Sequence, residues 1–140
     1  MLTLPRFITL HAILGMALGI AFALYGPLML AFFGIADIPS QEAVLYWNIA
    51  SFARLFGAIL FSLGMVLFAL RAPIARGELS AESQRGVVSA LLLSSLLATI
   101  VALTQQASVW NTWAGWLLSG MFALLTAGYA ILIIVRPRSE

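Results

Sequence analysis

Four apolar stretches dominate this 140-residue sequence, and each is long enough to cross a lipid bilayer as a helix. A spanning helix needs about 20 mainly apolar residues, because the hydrocarbon core is roughly 30 Å thick. Backbone N–H and C=O groups meet no water there, so the segment must satisfy them internally as a helix. The sequence therefore predicts an all-α fold, a four-transmembrane-helix bundle in a single domain of residues 1–140, with spans at approximately 7–33, 47–70, 87–104 and 113–135.

The composition excludes several classes of function. Hydrophobic residues make up 63% of the chain and charged residues only 9%, against about 25% charged in a soluble domain. Cysteine is absent, which excludes disulfides and thiolate metal sites, and the single histidine, His11, argues against a histidine-rich metal or haem site within one chain. No basic run alternates with aromatic residues, so nucleic-acid binding is discarded. We expect no cofactor and no metal, and the lipid bilayer as the main partner.

The arginines predict the orientation of the chain. The loops between spans 1 and 2 and between spans 3 and 4 carry Asp37 and Glu42 but no basic residue. Under the positive-inside rule, both termini and the middle loop then lie in the cytoplasm. The predicted location is a bacterial inner (plasma) membrane, with span 1 retained as a true span because its apolar run is longer than the core of a signal peptide. Six of the seven arginines lie on the predicted cytoplasmic side: Arg6, Arg71, Arg76, Arg85, Arg136 and Arg138.

Three loops are expected between the spans: "GIADIPSQEA", "RAPIARGELSAESQRG" and "QQASVWN". Within the first two, Ser40 followed by Glu42 and Ser80 followed by Glu82 are typical of helix starts, with serine as the N-cap and glutamate in the first turn.

Small residues predict how the spans pack. Lipid provides no hydrophobic force between helices, so spans associate where small residues let their backbones approach closely. Span 1 contains the pair Gly15 and Gly19, and span 2 contains Gly57 and Gly64, one heptad apart. Pro27 removes a helical hydrogen bond from span 1 and frees the carbonyl of the residue four positions earlier. Packing within one bundle is the main interpretation, and homo-oligomerisation through one small-residue face is the alternative.

Arg54 is a charged residue inside span 2 and the principal candidate for a functional role. Its neighbours three and four positions away are all small, so the pattern predicts that Arg54 points into the bundle: Ala50, Ser51, Gly57 and Ala58. The 17 residues from Arg54 to Arg71 correspond to about 25 Å of helix, which places Arg54 in the outer half of the span. A charge there is less costly than at the bilayer midplane.

Polar residues near the outer ends of the spans suggest a pocket around Arg54. The candidate ligand-binding residues are Arg54, Asn48, Ser51, Gln105 and Gln106. One interpretation is an arginine that snorkels to lipid headgroups or ties the first outer loop to the bundle. The other is an arginine that binds an anion or a headgroup.

The remaining polar residues do not form a catalytic set. His11 lies at the inner end of span 1 without a carboxylate partner, and the hydroxyls of span 3 are expected to bond backward to helix carbonyls. No metal, phosphate-loop or nucleophile–base pattern is present, so an enzyme is not favoured.

The segment "ARLFGAILFSLGMVLFALR", Ala53 to Arg71, resembles the second span of small, uncharacterised four-helix bacterial integral membrane proteins. The features that carry the resemblance are Arg54-x-x-Gly57 and a second glycine, Gly64, seven residues later. The resemblance implies the four-span fold and brings no activity, cofactor or catalytic residue.

The sequence therefore favours a non-catalytic membrane protein: an accessory or assembly subunit, or a binder of lipid or of a small hydrophobic ligand. A membrane-protein partner or a second copy of the chain remains open. The alternative is a small transporter or channel that uses the pocket around Arg54, which would need a continuous polar path through the bundle.

Overall fold

The computed structural model describes residues 3–35 and 43–135, and every regular element in these ranges is helical. Helix α1 is Leu4–Leu24, α2 is Gly26–Phe32, α3 is Ala43–Ala75, α4 is Ala81–Gln105 and α5 is Trp113–Val135. A π-helical turn, Gln106–Trp110, follows α4 directly. The predicted all-α fold class is confirmed.

Four helical segments are long and apolar enough to cross a membrane: Leu4–Leu24, Ala43–Ala75, Ala81–Trp110 and Trp113–Val135. Even the shortest, with 21 residues, is about 32 Å long, which matches the hydrocarbon core. The prediction of four spans is thus confirmed, whereas the orientation of the termini stays a prediction.

The helix bounds differ from the approximate predicted spans at several places. Residues 4–32 form two helices, because the backbone leaves helical geometry at Tyr25 and α2 begins at Gly26, with Pro27 in its first turn. The middle loop is much shorter than expected, since α3 continues through Pro73 to Ala75 and α4 already begins at Ala81. The expected loop "QQASVWN" is mostly the π-helical turn, in which the N–H of Asn111 donates to the carbonyl of Gln106 over 3.1 Å.

The turn between α3 and α4 has identifiable local causes. Gly77 adopts a positive φ of 69°, and its N–H donates to the carbonyl of Ile74 while the N–H of Glu78 donates to that of Pro73. This pair of bonds ends α3 in a Schellman motif, in which the left-handed position favours glycine. At the start of α4, the N–H of Ser83 donates to the Ser80 hydroxyl over 3.1 Å, which confirms Ser80 as the N-cap. The other predicted cap, Ser40, lies outside the described residues.

The chain divides into two compact units: Ile8–Arg71, called here the first unit, and the residues through Phe7 together with the chain from Ala72 onward, called the second unit.

In the first unit, α1 and α3 approach backbone to backbone at glycines. A methyl group added to Gly19 would lie 2.5 Å from the backbone nitrogen of Phe61, and one added to Gly57 would overlap the backbone nitrogen of Ala23. A methyl group on Gly64 would lie 2.8 Å from the backbone nitrogen of Met16. Such close approach gives the van der Waals contact on which helix association in lipid depends.

In the second unit, α4 and α5 bury polar side chains between them. Ser95, Thr99 and Ser119 are each at least 91% buried, and the hydroxyls of Thr99 and Thr126 lie 3.1 Å apart, where either can donate. At the start of α1, the ring of Phe7 packs on Gly128 and edge-on against Tyr129, with 4.8 Å between the ring centroids. Hydroxyl bonds of this kind stabilise helix pairs in lipid by about 1 kcal/mol each.

Candidate functional site

Arg54 lies eleven residues after the first residue of α3, on one edge of the face that α3 presents to α1. The centre of that face is a seven-residue repeat, Ala50, Gly57 and Gly64, and all three residues are buried. Arg54 is offset from this line by 40–60°, at about 100° per residue, and its side chain is exposed.

The structure corrects the expectation that Arg54 and its small neighbours Ser51 and Ala58 all point into the bundle. Ser51 and Ala58 were predicted to turn inward with Arg54, but both are exposed, as is Arg54 itself. The physical reason is the helical period: Ser51 and Ala58 lie 40–60° from Arg54 on the side away from the contact line, at about 100° per residue, and only the seven-residue set follows that line.

The stem of Arg54 lies against Gly26, the first residue of α2. A methyl group on Gly26 would lie 3.2 Å from Cγ of Arg54, 3.6 Å from its Nε and 3.5 Å from the carbonyl oxygen of Ala50. Ala50 lies one turn closer to the start of α3, so the stem of Arg54 and the Ala50 carbonyl meet the same small volume. Helical side chains lean toward the N-terminus of their helix. The guanidinium is therefore directed toward the Trp47 end of α3.

No carboxylate belongs to the described part of the first unit, whose only formally charged side chains are Arg54 and Arg71. Arg71 lies over the ring of Phe68, with 3.6 Å from its guanidinium carbon to the ring centroid. Within residues 3–35 and 43–135, no hydrogen bond or ion pair to Arg54 is found. Asp37 and Glu42, the acids of the first outer loop, lie outside the described residues.

Two predicted pocket residues precede Arg54 on the same helix. Asn48 and Ser51 are both exposed, and the hydroxyl of Ser51 donates to the carbonyl of Trp47 over 2.8 Å. Because its proton is used in that bond, the hydroxyl of Ser51 can take part in a further hydrogen bond only as an acceptor.

The other two predicted pocket residues belong to the second unit. Gln105 is half-buried and Gln106 is 99% buried. The side-chain amide of Gln106 donates to the carbonyl of Thr112 over 3.0 Å. Its oxygen Oε1 has no hydrogen-bond donor in the described chain, and it occupies the place that a methyl group on Gly115 would take. A joint pocket of these glutamines with Arg54 stays a prediction.

The predicted packing residues have distinct environments. Gly19, Gly57 and Gly64 leave no room for a methyl group, whereas one on Gly15 would meet its nearest atoms at 3.6 Å, an ordinary contact. Pro27 lies in the first turn of α2. The sequence interpretation did not assign Gly26 or Gly115 to the site, although Gly26 contacts Arg54 and Gly115 contacts Gln106. Gly26 stands directly before Pro27, and that dipeptide marks a break in the chain.

The described residues contain no cluster of three or more His, Asp or Glu side chains that could hold a metal ion. Comparisons with protein-family models, with curated proteins and with solved structures give no match. The helices themselves define the class: the chain is a multi-pass α-helical membrane protein with four candidate spans. Within it, Arg54 is the one arginine of the described chain that lies well inside a span.

Proposed function

We propose that this chain is a non-catalytic membrane protein that binds an amphipathic molecule, a lipid or a small hydrophobic ligand, beside Arg54. The observation that carries the proposal is the exposed side chain of Arg54, a residue well inside the apolar α3, whose stem lies against Gly26 at the α1–α2 break. A charge at such a depth requires a polar partner or water, because an isolated ion in hydrocarbon is costly.

The surroundings of Arg54 favour an amphipathic partner. Trp47 and Met65, which the helical period places on the same side of α3 as Arg54, are 54% and 49% exposed, so apolar surface and positive charge share one side of the helix. A molecule with an apolar part and a polar or anionic group would satisfy both at once. A water-soluble ion would satisfy only the charge.

The proposed orientation places both termini in the cytoplasm of a bacterial inner membrane. The support is the arginine distribution, since the middle turn contains Arg76 and Arg85 follows soon after it in α4. In this orientation, the Trp47 end of α3 faces the outer side, and Arg54 lies in the outer half of the membrane, about 10 Å below Trp47.

The test is purification in a mild detergent, followed by mass spectrometry of the intact protein and of extracted small molecules. The wild-type protein should retain a lipid or an amphipathic molecule at a defined stoichiometry, and Arg54→Leu should retain less at the same helical content. A protein that carries no such molecule after repeated mild preparations would contradict the proposal.

A further inference from the structure

We infer that Arg54, positioned by Gly26, binds the phosphate group of a membrane phospholipid; this inference rests on the proposed function and names its ligand. The site consists of the Arg54 guanidinium, the bare backbone of Gly26 and the small residues that flank Arg54 on α3. The acyl chains of the lipid lie along the exposed apolar surface of the same helix.

Charge is the first reason for an anionic ligand. The described part of the first unit contains Arg54 and Arg71 but no acid, and no described group pairs with Arg54. An isolated positive charge in hydrocarbon is costly, so the guanidinium requires a polar or anionic partner or water. Its planar fork of N–H donors matches two oxygens of a phosphate, which makes phosphate a better partner than a single carbonyl.

The level of the guanidinium is the second reason. The Cα atom of Arg54 is seven residues after Trp47, which corresponds to about 10 Å along α3. The arginine stem lies beside Gly26 and near the carbonyl of Ala50, on the side of Arg54 that leads toward Trp47. Tryptophan marks the headgroup region in membrane proteins. A long arginine side chain that leans this way brings its charge nearer to the lipid phosphates.

Access is the third reason, and it favours a lipid over a free ion. Arg54 is exposed at the helix surface, and Ser51 and Ala58, one turn before and after it, are small and exposed as well. The nearest bulky side chains in line with Arg54 are Trp47 and Phe61, each seven residues away along α3. Trp47 and Met65 offer exposed apolar surface on the same side of the helix. A ligand already in the bilayer reaches the site laterally and keeps its chains in contact with this surface.

Gly26 acts as a positioning residue. A methyl group there would come within 3.2 Å of Cγ of Arg54, closer than an ordinary van der Waals contact, so the arginine stem would have to move. The atoms in the way belong mainly to a flexible side chain, and the Ala50 carbonyl is at an ordinary 3.5 Å. Gly26→Ala should therefore displace the arginine stem by a few tenths of an ångström, without loss of charge and without disruption of the α1–α3 contact.

The experiment measures lipid binding to the purified full-length protein in detergent by native mass spectrometry. Dioleoyl phosphatidylglycerol is compared with dioleoyl glycerol, which has the same chains and no phosphate. The variants are Arg54→Gln, Arg54→Lys and Gly26→Ala. The matched control is Arg76→Gln, which removes one positive charge from an exposed arginine that pairs with Glu78 over 2.8 Å. Circular dichroism and size-exclusion chromatography establish that each variant is folded.

The wild-type protein should bind the phospholipid at least tenfold more tightly than dioleoyl glycerol. Arg54→Gln should abolish this preference, Arg54→Lys should keep part of it, and Gly26→Ala should reduce it several-fold. Arg76→Gln should match the wild type. Should Arg54→Gln fail to fold, the Arg54→Lys and Gly26→Ala variants carry the test alone.

Three outcomes would overturn the inference. Equal binding of both lipids by wild type and Arg54→Gln would refute the phosphate site but leave the proposed binding of an amphipathic molecule intact. Displacement of the phospholipid by millimolar inorganic phosphate would assign the site to a free anion instead of a lipid. Failure to bind any lipid or amphipathic molecule would refute the inference together with the proposed function.

Discussion

The contact between α1 and α3 predicts that Gly57→Ala destabilises the protein, whereas the same substitution at Gly120 does not. A methyl group on Gly57 would overlap the backbone nitrogen of Ala23 and lie 2.7 Å from the carbonyl oxygen of Gly19. These are backbone atoms, so no rotamer change can make room for it. A methyl group on Gly120 has nothing within 4 Å.

The magnitude follows from how far the helices must separate. Ordinary contacts begin near 3.4 Å, so α1 and α3 would move apart by roughly 1 Å, and a gap of that size forfeits a quarter to a half of each van der Waals contact. Overpacking of this kind costs about 1–3 kcal/mol, and rigid backbone places Gly57 at the upper end. The better helix propensity of alanine returns about 1 kcal/mol. Gly57→Ala should therefore lower the free energy of unfolding by about 2 kcal/mol.

The assay is reversible unfolding in mixed micelles, in which increasing dodecyl sulfate unfolds the protein and far-UV circular dichroism reports helix loss. Gly120→Ala should be neutral or stabilising by up to about 1 kcal/mol, from propensity alone. Gly15→Ala is a second control on α1, because its methyl group would meet the backbone of Leu60 and Gly64 at an ordinary 3.6 Å. Equal stability of Gly57→Ala and Gly120→Ala would refute the close approach of these helices.

Three further predictions follow from the second unit and from the arginine distribution. Gly115→Ala should destabilise the α4–α5 pair by about 1–3 kcal/mol, because its methyl group would occupy the place of Oε1 of Gln106. Gln106→Ala in the same chain should relieve most of that loss. Additive effects of the two substitutions in a double-mutant cycle would contradict this prediction. Ser80→Ala should lower the free energy of unfolding by about 1 kcal/mol, because it removes the N-cap bond to the N–H of Ser83. Ser94→Ala is the control, because the hydroxyl of Ser94 donates within its own helix, and it should have a smaller effect in the same micelle titration. Because the chain has no native cysteine, single introduced cysteines report topology directly. Ser108→Cys should react with a membrane-impermeant maleimide in intact cells, whereas Glu78→Cys should react only after the membrane is opened. The reverse pattern would contradict the proposed orientation.

The pattern of apolar residues was sufficient to predict the fold class and the number of spans. The serine before α4 also predicted its N-cap, because capping depends on residues within one turn. Longer-range features were not predictable in this way. The π-helical turn after α4 uses the same residue types as an ordinary loop, and it depends on how Gln106 bonds to Thr112 beyond it. Likewise, helical spacing alone did not decide which side of α3 contacts α1, and Arg54 proved exposed at the edge of that contact.

By itself, the sequence determined that this chain is a four-span helical membrane protein with one arginine inside its second span, because length, hydropathy and charge act locally and need no partner. The tertiary structure alone decided what surrounds that arginine. Gly26 is 28 residues away in the chain, yet this residue at the α1–α2 break lies against the stem of Arg54. Such proximity depends on how helices pack, and Gly26 lies outside the seven-residue repeat of α3 that marks the contact with α1.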